Sequence, residues 1–167
     1  MVIKKEFFKR DALEVAPELV GKLLVRKVNN KTIKLRISEV EVYRGEEDTA
    51  CHAHKGKTKR TEIMYEEGGK YYVYLCYGMH YLLNIVTGKK DNPQAVLIRA
   101  TIEADGPGKL TKVLGIDKSF NGKEVLKKNQ LWVEDDGYRC EIQTDKRVGI
   151  AYASKEDQER LWRYKRK

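Results

Sequence analysis

Alternation of hydrophobic and polar residues is the clearest pattern along this chain, and it predicts strands more often than helices. Residues 23–27 and 32–43 alternate on either side of Asn29-Asn30, which predicts a β-hairpin. Further strands are predicted at residues 71–76, 81–86, 95–102, 131–134 and 147–151. The order of these segments indicates neighbouring hairpins rather than alternating strand–helix–strand units.

Short helices are predicted from capping and termination signals. Asp11 and Glu14 have the spacing of a capping box, and Gly21 is suited to end the helix that they begin. The same kinds of signal predict later helices after Thr61, over residues 109–115 and after Ser154. Strands and short helices together predict an α+β fold, built as a single domain over residues 1–167.

Three polar side chains share one face of the strand predicted at residues 37–43. Because side chains alternate along a strand, Glu39, Glu41 and Tyr43 point the same way and the valines between them point the other way. A carboxylate beside an aromatic ring, followed by a loop that holds His52, would suit catalysis. A solvated polar face explains this segment equally well.

A second hairpin is rich in tyrosine, with five of the ten tyrosines of the chain between residues 71 and 81. We expect Gly78-Met79-His80 to form its turn, which places Tyr77 opposite Tyr81 and Tyr74 opposite Asn84. Tyrosines in strands usually pack across the sheet. Here an aromatic plate beside an amide, with an exposed ring at the tip, could also stack a base and wedge into a duplex.

The charge of the chain favours a polyanionic partner. Among 167 residues, 34 Lys and Arg stand against 25 Asp and Glu, which gives a net charge of +9. The three cysteines are widely spaced and form neither a disulfide framework nor a zinc motif. No apolar run is long enough for a membrane span and no signal peptide is evident, so we expect a cytoplasmic protein, nucleoid-associated in a prokaryote and not secreted.

Several sequence blocks resemble the alkyladenine (3-methyladenine) DNA glycosylase family. They cover nearly the whole chain in the family's order, and the Tyr-Val-Tyr-x-x-Tyr-Gly-Met block is the most distinctive. The matching blocks lie at residues 39–43, 47–52, 56–60, 72–79, 84–85, 96–100, 106–110 and 147–150. The resemblance implies a curved antiparallel sheet with a protruding hairpin that inserts into DNA and with short helices around it.

The resemblance also implies a role for each matching residue. Glu41 would activate the hydrolytic water, and Arg99 would support that water and a nearby phosphate. Tyr43, His52 and Tyr74 would hold the flipped base. Tyr77 would fill the gap left in the DNA, and Asn84 would exclude the exocyclic amine of guanine.

The activity expected from these roles is that of a monofunctional DNA glycosylase of base excision repair. It would act as a monomer on double-stranded DNA that contains damaged purines, of the class of 3-methyladenine, 7-methylguanine and hypoxanthine. No lysine is placed as a Schiff-base nucleophile, and we expect neither a metal nor a cofactor nor a membrane partner. A metal nuclease using Glu39, Glu41, Asp48 and His52, and a non-catalytic damaged-DNA or RNA-binding module, are the alternatives.

Overall fold

Antiparallel strands dominate a computed structural model that describes all of residues 1–167. The strands are β1 (Leu23–Val28), β2 (Lys31–Arg44), β3 (Tyr71–Cys76), β4 (His80–Thr87), β5 (Gln94–Thr101), β6 (Leu131–Glu134), β7 (Ile142–Asp145) and β8 (Arg163–Arg166). The helices are α1 (Ala12–Leu19), α2 (Pro107–Leu114) and α3 (Lys155–Glu159). Short 3₁₀ turns occupy Lys5–Lys9, His52–Lys55, Glu62–Tyr65, Lys118–Phe120 and Lys127–Asn129.

All of the strands belong to one curved sheet, and the α+β class predicted from the sequence is confirmed. The order across the sheet is β3-β4-β5-β2-β1-β6, while β8 pairs with β2 and β7. The long strand β2 is therefore central. It pairs with β5 along one side, and with β1 and then β8 along the other.

A change of face within β2 determines which of its side chains reach the core. Leu35 and Ile37 are buried in the main hydrophobic cluster, but so are Val40 and Val42, which regular alternation would place on the opposite face. The pairing of β2 with β5 shifts register on both sides of Glu39. Such bulges bend a strand pair and re-aim its side chains. Beyond the bulge, the polar face predicted from the sequence turns away from the core.

The first helix closes one side of the core. α1 buries four apolar residues, namely Ala12, Val15, Ala16 and Leu19. The Asp11 side chain caps the helix by accepting a hydrogen bond from the backbone N–H of Leu13, and it also pairs with Arg44 at the end of β2. Asp11 is thus the cap that the sequence predicted and also a link to the central strand, but Glu14 does not bond back to the Asp11 N–H, so the predicted capping box is only half formed. Neither α1 nor α2, each of eight residues, is long and apolar enough to span a membrane.

The hairpin at Asn29-Asn30 is confirmed, and both asparagines have positive φ as a tight turn between twisted strands requires. The last helix is also confirmed, since Ser154 accepts a hydrogen bond from the backbone N–H of Asp157. Thr61 precedes only a 3₁₀ turn and makes no side-chain cap, because its hydroxyl bonds to the Gly56 carbonyl instead.

The register predicted for the tyrosine hairpin is wrong. The turn is Tyr77-Gly78-Met79, with positive φ at Tyr77 and Gly78, and Cys76 pairs with His80. Tyr72, rather than Tyr74, therefore lies opposite Asn84. The error displaces the pairing by two residues, so it leaves every side chain on the face that was predicted.

The strand predicted at residues 147–151 is also wrong. This segment is irregular, and the strand lies earlier in the chain, at Ile142–Asp145. The backbone N–H of Val148 donates to the Glu41 carboxylate instead of joining a strand ladder. The apolar residues that suggested a strand line a cavity instead.

Candidate active site

A cavity of about 660 Å³ opens on the polar face of β2, β4 and β5. Its walls come from the central strands, the tyrosine hairpin, the loop that follows β2, the start of α2 and the irregular segment after β7. All of the site residues predicted from the sequence line it: Glu41, Tyr43, His52, Tyr74, Tyr77, Asn84 and Arg99. Their assigned roles stay predictions, but the fold brings them to one place.

Glu41 is fully buried at the wall of this cavity. One carboxylate oxygen accepts a hydrogen bond from the Tyr43 hydroxyl at 2.8 Å, and the other accepts one from the Val148 N–H at 2.7 Å. The Arg99 Nε atom lies 3.9 Å from the second oxygen. These contacts fix the carboxylate, and each oxygen still has a lone pair for a further donor such as water.

Burial raises the pKa of Glu41 above its ordinary value of 4.5, because a buried carboxylate loses its hydration. The Val148 N–H, the Arg99 guanidinium and the Tyr43 hydroxyl favour the charged form and oppose that rise. Burial also raises the pKa of Tyr43 well above its usual value, with Glu41 adding to the shift. Tyr43 therefore remains a hydrogen-bond donor to a carboxylate that is more basic than one in water.

Aromatic side chains form a second wall. The rings of His52 and Tyr74 lie with centroids 4.7 Å apart at an interplanar angle of 64°. His52 Nδ1 is 2.8 Å from the Tyr72 hydroxyl, and this contact ties the loop after β2 to β3. The Arg60 guanidinium lies 5.4 Å from the centroid of the Tyr74 ring. Tyr72 is not among the site residues predicted from the sequence, and the structure shows that it orients His52.

His52 is held in its neutral form. Burial first, and then the nearby charges of Arg60 and Lys55, lower its pKa from 6.5 to about 4. At neutral pH the ring therefore presents an uncharged aromatic surface to the cavity. Such a surface does not repel a cationic ligand, as a charged imidazolium would.

Asn84 is nearly fully buried and its amide is oriented by the hairpin. Its Nδ2 donates to the Tyr72 carbonyl at 3.1 Å, directly across the β3–β4 pair. The side chain lines the cavity beside Leu97, its partner on β5. Asn84 is consequently a rigid polar group at a fixed depth in the pocket.

Tyr77 lies at the tip of the hairpin with 90% of its surface exposed. Its neighbour Met79 is also largely exposed, while Leu75 below them is half exposed. The backbone of Tyr77 lies in the left-handed region, which costs free energy for any residue other than glycine. Its exposed ring makes no packing contact that would offset this cost, so a purely structural role does not explain it. The tip is therefore suited to contact another molecule at the mouth of the cavity.

A buried ion pair that sequence reasoning did not identify holds the cavity walls together. Arg147 bonds to both carboxylate oxygens of Asp48, at 2.7 and 3.0 Å, and both side chains are fully buried. Arg147 also donates to the carbonyls of Val42 and Asp157, and its guanidinium stacks 5.0 Å from the Tyr43 ring. Two signals in the sequence could have pointed to this pair: an arginine at the start of an otherwise apolar run, and an aspartate shortly after β2.

The side chains imagined as ligands of a metal nuclease do not converge. No group of three or more His, Cys, Asp or Glu side chains is placed to hold a metal ion. Asp48 is committed to Arg147, and Glu39 contacts Arg99 and Arg163. Two of the carboxylates that this alternative would use as ligands are therefore already paired with arginine side chains.

The family profile of methylpurine-DNA glycosylase matches residues 6–104 and 102–167. The chain belongs to this family. The resemblance noted from the sequence blocks is thereby confirmed, and the family is one of hydrolases that act on N-glycosidic bonds.

Curated relatives match almost the entire chain. A protein of Borrelia garinii is 46% identical, with 95% of this chain and 92% of the relative aligned. A protein of Natranaerobius thermophilus is 42% identical, with 98% and 94% aligned, and one of Methanocella arvoryzae is 42% identical, with 98% and 91% aligned. All three carry the provisional name 3-methyladenine DNA glycosylase.

The depressed pKa of His52 predicts a specific dependence of stability on pH. The unfolded chain binds this proton near pH 6.5 and the native protein only near pH 4, so the native state loses stability as the pH falls through that window. We expect wild type to lose about 2 kcal/mol more unfolding free energy than His52→Gln between pH 6.5 and 4, after allowance for the exposed part of the ring. Urea unfolding at each pH measures this difference, and parallel curves would contradict it.

Proposed function

We propose that this protein is a monofunctional DNA glycosylase of base excision repair. It would flip an alkylated or deaminated purine out of duplex DNA and hydrolyse the bond between that base and its sugar. The observation that carries the proposal is the buried Glu41 carboxylate, fixed by Tyr43 and Val148 in a wall of an aromatic cavity. All of the groups come from one chain, so a monomer suffices.

Glu41 acts on the water in this proposal. Hydrolysis of an N-glycosidic bond passes through an oxocarbenium-like sugar, and water attacks the carbon that becomes positive. A carboxylate with a raised pKa accepts the water's proton well, and its negative charge stabilises the sugar cation. Arg99 at 3.9 Å from Glu41 helps to orient the water and offers its charge to a phosphate at the cavity edge.

The aromatic wall accounts for a preference for damaged purines. A purine alkylated at N3 or N7 carries a positive charge and leaves readily, and it would stack on Tyr43, His52 and Tyr74. Each contact of a cation with an electron-rich ring contributes about 0.5–2 kcal/mol. Neutral His52 permits this stacking, whereas a protonated ring would repel the ligand.

Selectivity against normal bases has two sources. Flipping a base costs a few kcal/mol, and the cost is smallest for a weakened pair. Asn84 is rigidly held through its bond to the Tyr72 carbonyl, so it would exclude the exocyclic amine of guanine by steric conflict. Hypoxanthine and 3-methyladenine have no amine at C2 and fit both constraints, whereas 7-methylguanine keeps that amine and depends on its positive charge for release.

Contact with DNA would come from the hairpin tip and from the net charge of +9. Tyr77, exposed beside the cavity, is placed to fill the space that a flipped base leaves in the duplex. Basic side chains would pair with the phosphates. A non-catalytic damaged-DNA or RNA-binding module would use the same surface, but it would have no need for a buried, oriented carboxylate.

Replacing Glu41 by Gln tests the catalytic step. The amide keeps the size of the side chain but cannot accept the water's proton or offset the sugar cation. We expect base release from a duplex with a single 7-methylguanine to fall by roughly 10²–10⁴-fold, as is typical when a general base is lost. Affinity for the same duplex should remain close to wild type, and single-turnover assays separate the two quantities.

Glu39→Gln is the matched control, since Glu39 lies on the same face of β2 but its carboxylate is paired with Arg99 and Arg163. It should lose far less activity at neutral pH than Glu41→Gln. Full activity of Glu41→Gln would refute the proposed mechanism. A wild-type protein that binds the duplex without releasing the base would favour the binding module.

Tyr77→Ala tests the wedge. The ring has no packing partner, so its loss should leave the melting temperature nearly unchanged. Binding to a duplex that contains an abasic-site analogue should weaken by at least about tenfold, because base–aromatic stacking is worth about 1–3 kcal/mol. Equal affinity of the two proteins would assign the DNA contact to other residues.

A further inference from the structure

The second carboxylate of the site, Glu39, makes closer contacts with arginine than Glu41 does. Its Oε2 atom lies 3.1 Å from Arg99 Nε and 3.3 Å from Arg163 Nη1. The same Arg99 Nε atom is 3.9 Å from Glu41. Arg99 is thus shared between two carboxylates, and Glu39 is itself shared between two arginines.

Backbone geometry brings these four side chains together. The register of the β2–β5 pair shifts on both sides of Glu39, which lies opposite Ala100 while Val40 lies opposite Ile98. Arg99 therefore has no partner of its own in this ladder. A bulge of this kind re-aims a side chain, and here it directs Arg99 towards the two glutamates.

The other arginine comes from the far side of β2. In the β2–β8 pair, Arg163 lies opposite Glu41 and Lys165 lies opposite Glu39. The Arg163 side chain is mostly buried, and it also donates to the Lys146 carbonyl and contacts Asp145. The C-terminal strand is thereby connected electrostatically to the carboxylate that the proposed function uses.

We propose that Glu39 is a positioning residue, which holds Arg99 beside Glu41 and offsets the charges of Arg99 and Arg163 so that Glu41 remains a strong base. This inference rests on the proposed function, because it assigns Glu41 the role of base. With both carboxylates ionised, the two glutamates and the two arginines balance. Without Glu39, one positive charge is left over beside the place where the sugar cation forms.

The groups that face Glu41 come from every element around it. They are Tyr43 on β2, Arg99 on β5, Arg163 on β8, and Arg147, Val148 and Tyr152 on the segment after β7, while Glu39 on β2 shares Arg99 with Glu41. Of these, only Glu39 is a second carboxylate. Removal of its charge should therefore move the titration of Glu41 to lower pH.

The pH dependence of base release from a duplex containing one 7-methylguanine tests the proposal. This base is cationic and needs no protonation to leave, so the acid limb of the single-turnover rate reports the ionisation of Glu41. In Glu39→Gln we expect this acid limb to move down by about one pH unit, because removal of a nearby like charge favours the ionised form of Glu41. The plateau rate should also fall, by roughly tenfold, because the excess positive charge opposes the sugar cation.

Two variants serve as controls. Glu39→Asp restores the charge and should return the acid limb to the wild-type position. Asp145→Asn removes the other carboxylate beside Arg163, but Asp145 is half exposed and does not contact Arg99, so its limb should not move. Melting temperatures measured alongside show whether each variant is folded.

Arg163→Gln keeps the proposal falsifiable if Glu39→Gln fails to fold. It removes a positive charge near Glu41, so the limb should move upward rather than downward. The inference would be overturned if the acid limb did not move in folded Glu39→Gln, or if it moved downward in Arg163→Gln. In either case an inactive Glu41→Gln would leave the proposed function standing. Full activity of Glu41→Gln would instead refute the proposed function itself.

Discussion

The buried ion pair between Asp48 and Arg147 is the interaction on which the rest of the site depends. Two charges taken wholly out of water must be paired and hydrogen-bonded, since an unpaired one costs several kcal/mol. Asp48 also accepts hydrogen bonds from the backbone N–H groups of Arg44 and Ala50. The loop after β2 and the segment after β7 therefore cannot separate without exposing or stranding a charge.

The ion pair also positions the candidate site, because residues next to Asp48 and Arg147 in the chain contact Glu41 and the aromatic wall. Val148 follows Arg147 in the chain, and its N–H orients the Glu41 carboxylate. The loop that contains Asp48 continues to His52, which the Tyr72 hydroxyl then fixes against the aromatic wall. A bulge in the central strand pair completes the arrangement by turning the acidic face of β2 away from the core. Packing, backbone register and the buried ion pair thus together position the Glu41 carboxylate.

Much of this could be predicted from local patterns. Alternation located β1 to β6 to within a few residues and placed Glu41 and Tyr43 on one face, because a strand's period is a local property, but it missed β7 and β8. In the sequence, Ile37 and Val40 break the regular alternation of β2. That this break is a bulge, with both side chains in the core, could be seen only from the packing of the folded chain. The pairing of Asp48 with Arg147 joins positions 99 residues apart, so no local pattern contains it. Residues 147–151 were misread as a strand because their apolar side chains line the cavity wall.

The most direct test of this account is base release by a variant that lacks the buried pair but still folds. Asp48→Asn or Arg147→Met alone should cost about 3–5 kcal/mol of unfolding free energy, and the two together should cost less than the sum of the single changes. The account predicts that the folded double variant releases 7-methylguanine from duplex DNA roughly 10²-fold more slowly than wild type, because the groups around Glu41 are no longer held in place. A folded double variant with the wild-type rate would contradict it.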